Sequence, residues 1–311
     1  MSDRSVIVYL YDGSYEGLLS CVFESFARKE NPIEISVQDT VQTSFYPTRN
    51  IDTDLSAAER VKKGICAKMS QEAYEFVRLG YFTCHPQKEK LILDFIRVGM
   101  RCGRKVLSMF TDDTVNCLFK AVKHLTGESH QLKGFVRFSV YGRIMASVIE
   151  PKNFVLPLLA PHFCDRYAND AFMIYDKTHQ SMLFYKPYEF AIVPIEDYCE
   201  PDADEEEQFY RKLWKNYYDS IAIESRYNPR CRMSHMQKRY WNHLTEMNPC
   251  VSTESTKSES TERLTEKNAL KGEQSEMPHN GITCQLSEKC FKHLTDKSGR
   301  KSLIETEKNV L

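Results

Sequence analysis

The chain has 311 residues and a net charge of −1, and its charged and hydrophobic fractions, 27% and 41%, are those of an ordinary globular protein. So small a net charge excludes a strong overall field towards nucleic acid or a membrane surface, so any such attraction must be local. The six apolar residues before Asp12 are too few for a signal peptide core or a membrane helix, so we expect a cytoplasmic protein without membrane contact.

Eleven cysteines are spread singly through the chain, without a CxxC pair or a Cys/His cluster spaced for zinc. Their odd number and scatter argue against a disulfide framework, and free thiols suit a reducing compartment. The sequence therefore predicts no metal site and no cofactor. The C-x3-C-x2-C arrangement that radical-SAM enzymes use for their cluster is also absent.

In the first part of the chain, the spacing of apolar residues predicts a small α/β region that is followed by helices. Strands are predicted at residues 6–11 and 33–37. Helices are predicted at residues 14–28, 71–79, 89–110 and 115–125, and Gly127 would end the last of them.

From Gly134 onward the apolar period changes to two, which predicts paired strands. FVRFSVY and RIMASVIE flank Gly142 as one hairpin, and AFMIYD and SMLFYK flank residues 177–180 as another. A further strand is predicted at 188–193, and helices are predicted at 204–226 and 235–247. Helices around a mostly antiparallel sheet indicate an α+β fold rather than a doubly wound one.

The composition changes after Cys250, where Ser, Thr, Glu and Lys replace most large apolar residues. Such a segment cannot bury enough apolar surface to offset its ordering entropy, so we expect residues 251–311 to be mostly disordered. The predicted organisation is therefore an N-terminal α/β domain at 1–84, a second domain at 85–250 and this tail.

The stretch VIVYLYDGSYEGLLSCVFESF enters a predicted helix through Asp12, Gly13 and Ser14. Ser14 can cap that helix by accepting from a backbone N–H in its first turn, and Glu16 suits the positive end of the helix dipole. A phosphate would also suit this helix end, but Gly13 and Gly17 match neither GxxxxGKS/T nor GxGxxG. We therefore interpret the stretch as a strand-to-helix corner.

Four cations lie together on one face of the helix predicted at 89–110, with no acidic residue between Asp94 and Asp112. These cations are Arg97, Arg101, Arg104 and Lys105. A stripe without acidic neighbours suits successive phosphates of a nucleic acid. The alternative is a solvated face whose partners come from elsewhere in the fold.

A denser cluster lies in RYNPRCRMSHMQKRYWNHL, where cations alternate with aromatic residues. Its predicted nucleic-acid-binding members are Arg226, Arg230, Arg232, Lys238, Arg239, Tyr240 and Trp241. Asn228 and Pro229 would break the preceding helix. Ser234 and Gln237 would form a capping box for the last helix, which would turn Tyr240 inward. Arginines beside exposed aromatic rings can hold phosphates and stack a base. In the alternative, Tyr240 and Trp241 are core anchors and the arginines pair with acidic residues 202–207.

Candidate catalytic groups lie near the strand predicted at 171–176. They are His162, Asp165 and Asp176, with Arg166 and His179 beside them. A histidine and two carboxylates on adjoining elements could carry out general acid–base chemistry. The alternative is a structural role, because geometry decides between the two and sequence does not give it.

Several stretches resemble, in order, the motifs of one bacterial family that is assigned to DNA repair or DNA metabolism. They are YDGSYEGLLSCVFESF, LKGFVRF, IEPKNFVLPLLAPHFCDRY, AFMIYD and RYNPRCRMSHMQKRYWNHLTEM, within about residues 1–247. In that family the segment from His85 to Cys250 corresponds to a domain of unknown function, which relatives also carry fused to uracil-DNA glycosylase-like domains. The resemblance implies a radical-SAM protein of DNA repair or modification as a partner. The family's own chemistry is unassigned.

Three functions are consistent with these observations. The first is a DNA-binding accessory that presents damaged or single-stranded DNA to the radical-SAM partner through the two basic surfaces. The second is a hydrolytic DNA enzyme, a nuclease or glycosylase, built on His162, Asp165 or Asp176. The third is a protein-interaction adaptor that does not contact DNA.

Overall fold

The computed structural model describes residues 7–38, 46–196 and 198–247. The tail predicted at 251–311 lies outside the described residues. The described chain forms two compact units: the first takes in the residues up to 134 together with 151–159, and the second takes in 135–150 and the chain from 160 onward. The predicted domain boundaries near 84 and 250 stay a prediction.

A three-stranded parallel sheet with the order β2-β1-β3 begins the first unit. Its strands are β1 (Val8–Tyr11), β2 (Glu34–Val37) and β3 (Thr48–Asn50). The helices are α1 (Tyr15–Ala27), α2 (Leu55–Lys68), α3 (Gln71–Tyr81), α4 (Lys88–Cys102) and α5 (Asp113–Phe135). Tyr9, Leu18 and Phe95 are fully buried in one shared core, and this burial is the main force that holds the layers together. The predicted N-terminal α/β region is confirmed.

The corner after β1 is built around the Asp12 carboxylate. It accepts hydrogen bonds from the Ser14 N–H at 2.9 Å and from the Thr53 hydroxyl at 2.8 Å. Ser14 Oγ accepts from the Gly17 N–H at 2.9 Å, so the predicted helix cap is confirmed. Burial raises the pKa of Asp12, but the hydrogen bonds from Ser14 and Thr53 outweigh it and hold the pKa below its ordinary value. The Asp12 carboxylate thus lies at the N-terminal end of α1, which is the end of a helix that binds anions.

The predicted helix at 89–110 is wrong in its extent. α4 ends at Cys102 because Gly103 has a positive φ of 64°, which an α-helix cannot continue. A 3-10 helix, Gly103–Ser108, follows. The four cations predicted for one helical stripe are therefore divided between two different helices.

The predicted end of the next helix at Gly127 is also wrong, because α5 continues to Phe135. Leu125 and Leu132, which lie on either side of this glycine, are both buried. Tertiary packing of such side chains supplies most helical stability in proteins, and it outweighs the weak helix propensity of one glycine.

A five-stranded sheet with the order β4-β5-β6-β7-β8 forms the centre of the second unit. Its strands are β4 (Ser139–Tyr141), β5 (Ile144–Ile149), β6 (Ala171–Asp176), β7 (Ser181–Lys186) and β8 (Glu189–Pro194). β5 and β6 pair in parallel through a connection that contains α6 (Leu156–Arg166), and the other three pairs are antiparallel. The predicted α+β fold with a mostly antiparallel sheet is confirmed.

Tight turns join the antiparallel strands at the predicted places. Gly142, with a φ of 62°, joins β4 to β5. Gln180, with a φ of 48°, ends the turn that joins β6 to β7. Positive φ angles suit such turns because they match the right-handed twist of the strands. Both predicted hairpins are therefore present.

The chain after the sheet differs from the two long helices that the sequence predicts. α7 (Glu205–Ser220) is shorter than the predicted helix at 204–226, and a 3-10 helix, Glu224–Arg226, follows it. α8 (Pro229–His235) occupies the segment predicted as a loop, and a 3-10 helix, Lys238–His243, stands where a helix to residue 247 was predicted. Among the helices of the described residues, none combines the length and apolarity that a bilayer span requires.

Asn228 and Pro229 begin α8, although the sequence suggests only a break in the preceding helix. The Asn228 side chain accepts from the Cys231 N–H at 3.0 Å, and Pro229 suits the first turn because it lacks an N–H. Ser234 lies inside α8, where its hydroxyl donates to the Cys231 carbonyl at 2.8 Å. The predicted capping box of Ser234 and Gln237 is therefore wrong.

Two glycine-to-alanine substitutions in the first unit should have opposite effects on stability. A Cβ at Gly17 would lie 2.2 Å from Asp12 Oδ1 and 2.8 Å from Thr53 Oγ1, so it would displace a carboxylate that hydrogen bonds hold in place. We expect Gly17→Ala to lower the free energy of unfolding by about 1–2 kcal/mol, even after its gain in helix propensity. Gly127→Ala meets nothing within 4 Å. It should raise the free energy of unfolding by about 0.5–1 kcal/mol.

Urea unfolding followed by circular dichroism measures both effects in the same buffer. Gly127→Ala is the matched control, because it makes the same chemical change in a helix of the same unit. Equal stabilisation by both substitutions would show that the Asp12 carboxylate does not hold the corner.

Candidate nucleic-acid interface

An open groove of about 420 Å³ lies in the second unit, beyond the end of α7. Its lining combines cations, aromatic rings and aliphatic side chains. It includes Tyr218, Ile221, Arg226, Tyr227, Cys231 and Arg232. Tyr227 is 69% exposed. Two of the predicted cations therefore share one concave surface with a ring that solvent can reach.

Arg232 lies between two aromatic rings. Its guanidinium carbon is 5.6 Å from the centre of the Tyr227 ring and 5.1 Å from the centre of the Trp241 ring. Lys238 Nζ lies 6.0 Å from the centre of the same Trp241 ring. Such cation–π contacts orient the cations without neutralising their charge.

Four cations of this cluster have no carboxylate partner within 4.0 Å among the described residues: Arg226, Arg230, Arg232 and Lys238. Two of the acidic residues at 202–207 contact other groups, and none of the five lies within 4.0 Å of these four cations. Glu207 pairs with Arg211 at 2.8 Å, and the side chain of Asp204 caps α7. The alternative in which the arginines of the cluster are consumed by this acidic run is therefore not what the structure shows.

Tyr240 and Arg239 are directed to the core. Tyr240 is 3% exposed, and its ring centre lies 5.7 Å from that of Phe135. The Arg239 guanidinium carbon is 4.6 Å from the centre of the Tyr240 ring, and Arg239 donates to the Tyr240 hydroxyl. Trp241 is half-buried, and its Nε1 donates to the Met236 carbonyl at 3.1 Å. Tyr240 therefore packs inward as expected, and no base can stack on its ring.

The other predicted basic stripe, which belongs to the first unit, is divided. Arg97 packs over the Phe26 ring and donates to the Glu30 backbone carbonyl, and burial lowers the pKa of its guanidinium. Three cations are exposed and have no carboxylate partner within 4.0 Å among the described residues: Arg101, Arg104 and Lys105. Arg97 therefore stabilises the fold, and only the other three cations are available to an anion.

The buried carboxylate of Glu246 holds the end of the described chain to the rest of the second unit. Arg137 Nη2 donates to Glu246 Oε1 at 2.8 Å, and Trp214 Nε1 donates to Oε2 at 3.1 Å. Arg137 precedes β4, and Trp214 lies on α7, so one carboxylate joins three parts of the unit. Burial raises the pKa of Glu246, but the hydrogen bonds from Arg137 and Trp214 outweigh it and leave the pKa below its ordinary value.

Polar contacts fasten α7 to the edge of the five-stranded sheet. Glu207 Oε2 accepts from the Val140 N–H of β4 at 3.1 Å, and Glu207 Oε1 accepts from Arg211 Nε at 2.8 Å. Arg211 Nη2 also donates to Ser139 Oγ at 2.6 Å. These contacts position α7, and the groove beyond its C-terminal end is positioned with it.

The candidate catalytic residues do not come together as an acid–base pair around Asp176. Asp176 is fully buried and accepts hydrogen bonds from the Thr178 and His179 N–H groups and from His179 Nδ1, the last at 2.7 Å. Among the described residues its side chain bonds neither His162 nor Asp165, both of which lie on α6. Burial raises the pKa of Asp176 although His179 lowers it. This geometry is that of a carboxylate that orders the turn between β6 and β7.

The residues that position the interface are not among those predicted from the sequence; they are Arg137, Trp214 and Glu246. Arg137 and Glu246 are separated by 109 positions, so no local pattern links them. Their one signal is their place inside the motifs LKGFVRF and RYNPRCRMSHMQKRYWNHLTEM. Within the described residues, no three His, Cys, Asp or Glu side chains lie close enough together to hold a metal ion.

Residues 86–246 match the family described as a domain of unknown function, DUF4130, and this match covers just over half of the 311 residues. The chain belongs to the DUF4130 family. The DUF4130 domain contains α7, the groove and Glu246, which is the last residue of the match. The Asp12 corner lies before it. No curated protein and no solved structure matches the chain.

Substitutions of Asp176 should separate a structural from a catalytic role. Asp176→Ala removes the acceptor of the Thr178 and His179 hydrogen bonds, so we expect the free energy of unfolding to fall by about 2–3 kcal/mol. Asp176→Asn retains an acceptor and removes a buried charge, so the change should stay below about 1 kcal/mol. Urea unfolding of the two variants measures the difference. A large loss of stability in Asp176→Asn would contradict the turn-ordering role.

Substitution of Glu246 should loosen α7. At pH 7 we expect Glu246→Gln to lower the free energy of unfolding by about 2–3 kcal/mol, because the buried ion pair between Glu246 and Arg137 is lost. The folded-state pKa of Glu246 is depressed, so the stability of the carboxylate is present above its ordinary pKa of about 4.5 and is lost as pH falls through the lower folded-state pKa.

The difference between wild type and Glu246→Gln should therefore shrink as the pH of the urea titration is lowered through that range. Glu196→Gln on the exposed chain after β8 is the control, and its effect should stay within about 0.5 kcal/mol. A Glu246→Gln protein as stable as this control would show that the carboxylate does not hold α7.

Proposed function

We propose that this protein is a nucleic-acid-binding accessory of DNA repair or DNA metabolism, and that the groove lined by Arg226, Tyr227 and Arg232 is its binding surface. One observation carries the proposal: cations without carboxylate partners among the described residues lie beside an exposed aromatic ring in one groove. Cations that are buried or paired with carboxylates could not bind a ligand in this way. Cations without a neighbouring aromatic ring would indicate only a solvated face.

The charge distribution supports a polyanionic ligand. The chain as a whole has a net charge of −1, so binding depends on local cations rather than on an overall field. Arg226 and Arg230 lie close together in the chain at the entrance to α8 and are both exposed. Arginine forms bidentate, charge-assisted hydrogen bonds with phosphate, and each neutralised phosphate releases counterions into solution.

The exposed ring of Tyr227 favours single-stranded DNA over duplex DNA as the ligand. A base in a duplex is stacked on its neighbours, whereas a single-stranded base can stack on a side chain such as Tyr227. The Arg232 guanidinium lies against the Tyr227 ring and supplies positive charge beside that stacking surface. We therefore infer that the groove prefers single-stranded or locally opened DNA.

In this proposal, a partner protein carries out the chemical reaction. The resemblance of the motifs to the DNA repair or DNA metabolism family implies a radical-SAM protein, and the sequence has no C-x3-C-x2-C motif of its own. The fusion of this domain to uracil-DNA glycosylase-like domains in relatives implies a similar supporting role. A cytoplasmic location and a bacterial origin belong to the same proposal.

A second candidate function is that of an adaptor that binds protein. The observation that favours it is a row of exposed aromatic and aliphatic side chains on α7. A continuous exposed apolar surface of this kind is typical of a site that binds another protein. Such a surface is compatible with nucleic-acid binding by the neighbouring groove, so the two functions do not exclude one another.

Fluorescence anisotropy with a labelled single-stranded oligonucleotide and with the matching duplex tests the proposal. We expect tighter binding of the single strand, and the logarithm of affinity should fall linearly with the logarithm of salt concentration. Arg226→Ala with Arg230→Ala should weaken binding roughly ten- to a hundredfold and reduce the salt slope by about 1.4. Tyr227→Ala should weaken binding roughly five- to a hundredfold without changing the slope, and Tyr227→Phe should retain affinity.

The matched control is Lys177→Ala with Lys186→Ala, which removes the same charge from the same unit. Both lysines are already paired with carboxylates, at 2.9 Å from Glu150 and 2.7 Å from Glu189. Equal loss of affinity in the control and in the double arginine variant would contradict the assigned surface. Absence of salt-dependent binding by the wild-type chain would contradict the proposed function itself.

A further inference from the structure

α7 turns a stripe of large apolar side chains to solvent, whereas the charged pair of Glu207 and Arg211 faces the fold. Glu207 is its one buried residue among those described, and with Arg211 it contacts the sheet edge. Large apolar side chains of the same helix and of the residue that ends it are between 42% and 61% exposed. They are Phe209, Tyr210, Leu213, Trp214, Tyr217 and Ile221. A surface helix normally shows the opposite arrangement, with its apolar stripe against the core.

These exposed side chains form one continuous stripe. Successive residues of an α-helix rotate by about 100°, which places the six side chains within an arc of roughly 140°. Glu207 and Arg211 lie on the neighbouring arc, towards the sheet. Gln208 lies on the opposite side of the helix from the middle of the stripe. The stripe is therefore a coherent surface rather than a scatter of single residues.

The area of the stripe approaches that of one side of a standard interface. A large aromatic side chain buries about 150–250 Å² when it is fully covered, so six half-exposed apolar side chains present roughly 500–600 Å². Stable protein–protein interfaces bury about 800 Å² on each partner. An exposed apolar patch of about 500–600 Å² is at the upper end of what a monomer exposes, and patches of that size are often functional.

The charges at the two ends of the stripe indicate what covers it. Glu205 and Glu206 lie at the N-terminal end of α7, and Arg226 and Arg230 follow its C-terminal end. None of these four has an ion-pair partner within 4.0 Å among the described residues. In an antiparallel pair of identical helices, the acidic end of each copy faces the basic end of the other. A twofold interface requires such self-complementarity.

We propose that the apolar stripe of α7 is a homodimer interface, in which α7 of a second copy packs antiparallel to the first. Leu213 lies near the centre of the stripe, where it would contact the equivalent region of the partner. At each end of the stripe, Glu205 or Glu206 of one copy forms an ion pair with Arg226 or Arg230 of the other.

This dimer goes beyond the proposed function and does not depend on it. Arg226 and Arg230 also belong to the proposed nucleic-acid interface, so a polyanion and a second copy compete for them. The test is therefore made on the full chain without nucleic acid, and its outcome is independent of whether the groove binds DNA.

Sedimentation velocity between about 1 and 100 µM measures the mass of the full chain. We expect the dimer fraction to rise with concentration, because an apolar area somewhat below the standard size suits micromolar affinity. Leu213→Glu places a carboxylate from each copy at the centre of the interface and should raise the dissociation constant at least about thirtyfold. Gln208→Glu adds the same charge on the opposite side of α7 and should leave the dimer unchanged. Leu213 is already 53% exposed, so its substitution should not unfold the monomer, which circular dichroism checks.

A charge exchange tests the antiparallel arrangement. Glu205→Lys with Glu206→Lys in one variant, and Arg226→Glu with Arg230→Glu in another, should each weaken self-association. An equimolar mixture of the two should restore a dimer, because each altered end then faces an oppositely charged one. A monomeric mass for the wild type at every concentration would overturn the proposal and leave the stripe to a different partner. A dimer that Leu213→Glu does not weaken would also overturn it.

Discussion

The hydrogen bonds of the buried Glu246 carboxylate are the constraint on which the second unit depends. Arg137 and Trp214 converge on this one side chain from the chain before β4 and from α7. A buried carboxylate without partners would be very unfavourable, so the three groups specify one another's positions. Because Trp214 is on α7, the interaction also sets where the groove and the apolar stripe lie within the unit.

The distribution of carboxylates explains how a nearly neutral chain presents a cationic surface. Glu207 and Glu246 are buried in contacts with Arg211 and Arg137, and Asp176 is buried in its own turn. Each of these carboxylates is consumed in holding the fold and contributes little negative potential to the surface of the groove. The arginines near α8 have no such internal partners among the described residues, so their charge acts outward.

Features that depend on neighbouring residues were predictable from the sequence. Ser14 caps α1, and Gly142 forms a hairpin turn, because the relevant partner in each case lies within a few positions. The strands of the five-stranded sheet were predictable for a similar reason, since their apolar residues alternate. The α+β class followed from the order of these elements.

Features that depend on distant residues were not predictable. Arg97 resembled the other cations of its stripe, and only the proximity of Phe26 and Glu30 shows that it belongs to the fold. Glu246 is held by Arg137, which lies 109 positions earlier in the chain. α8 begins where Asn228 and Pro229 suggested a break, since one dipeptide can both end a helix and begin the next.

The hydrogen bond between Glu207 and the Val140 amide has a consequence for association through strands. β4 is an outer strand of its sheet, and the outward N–H groups of such a strand are a template for pairing with another chain. Glu207 occupies the Val140 donor, and β4 is only three residues long. This margin of the sheet is thereby closed to β-augmentation, so a peptide or a misfolded copy cannot extend the sheet there without first dislodging α7.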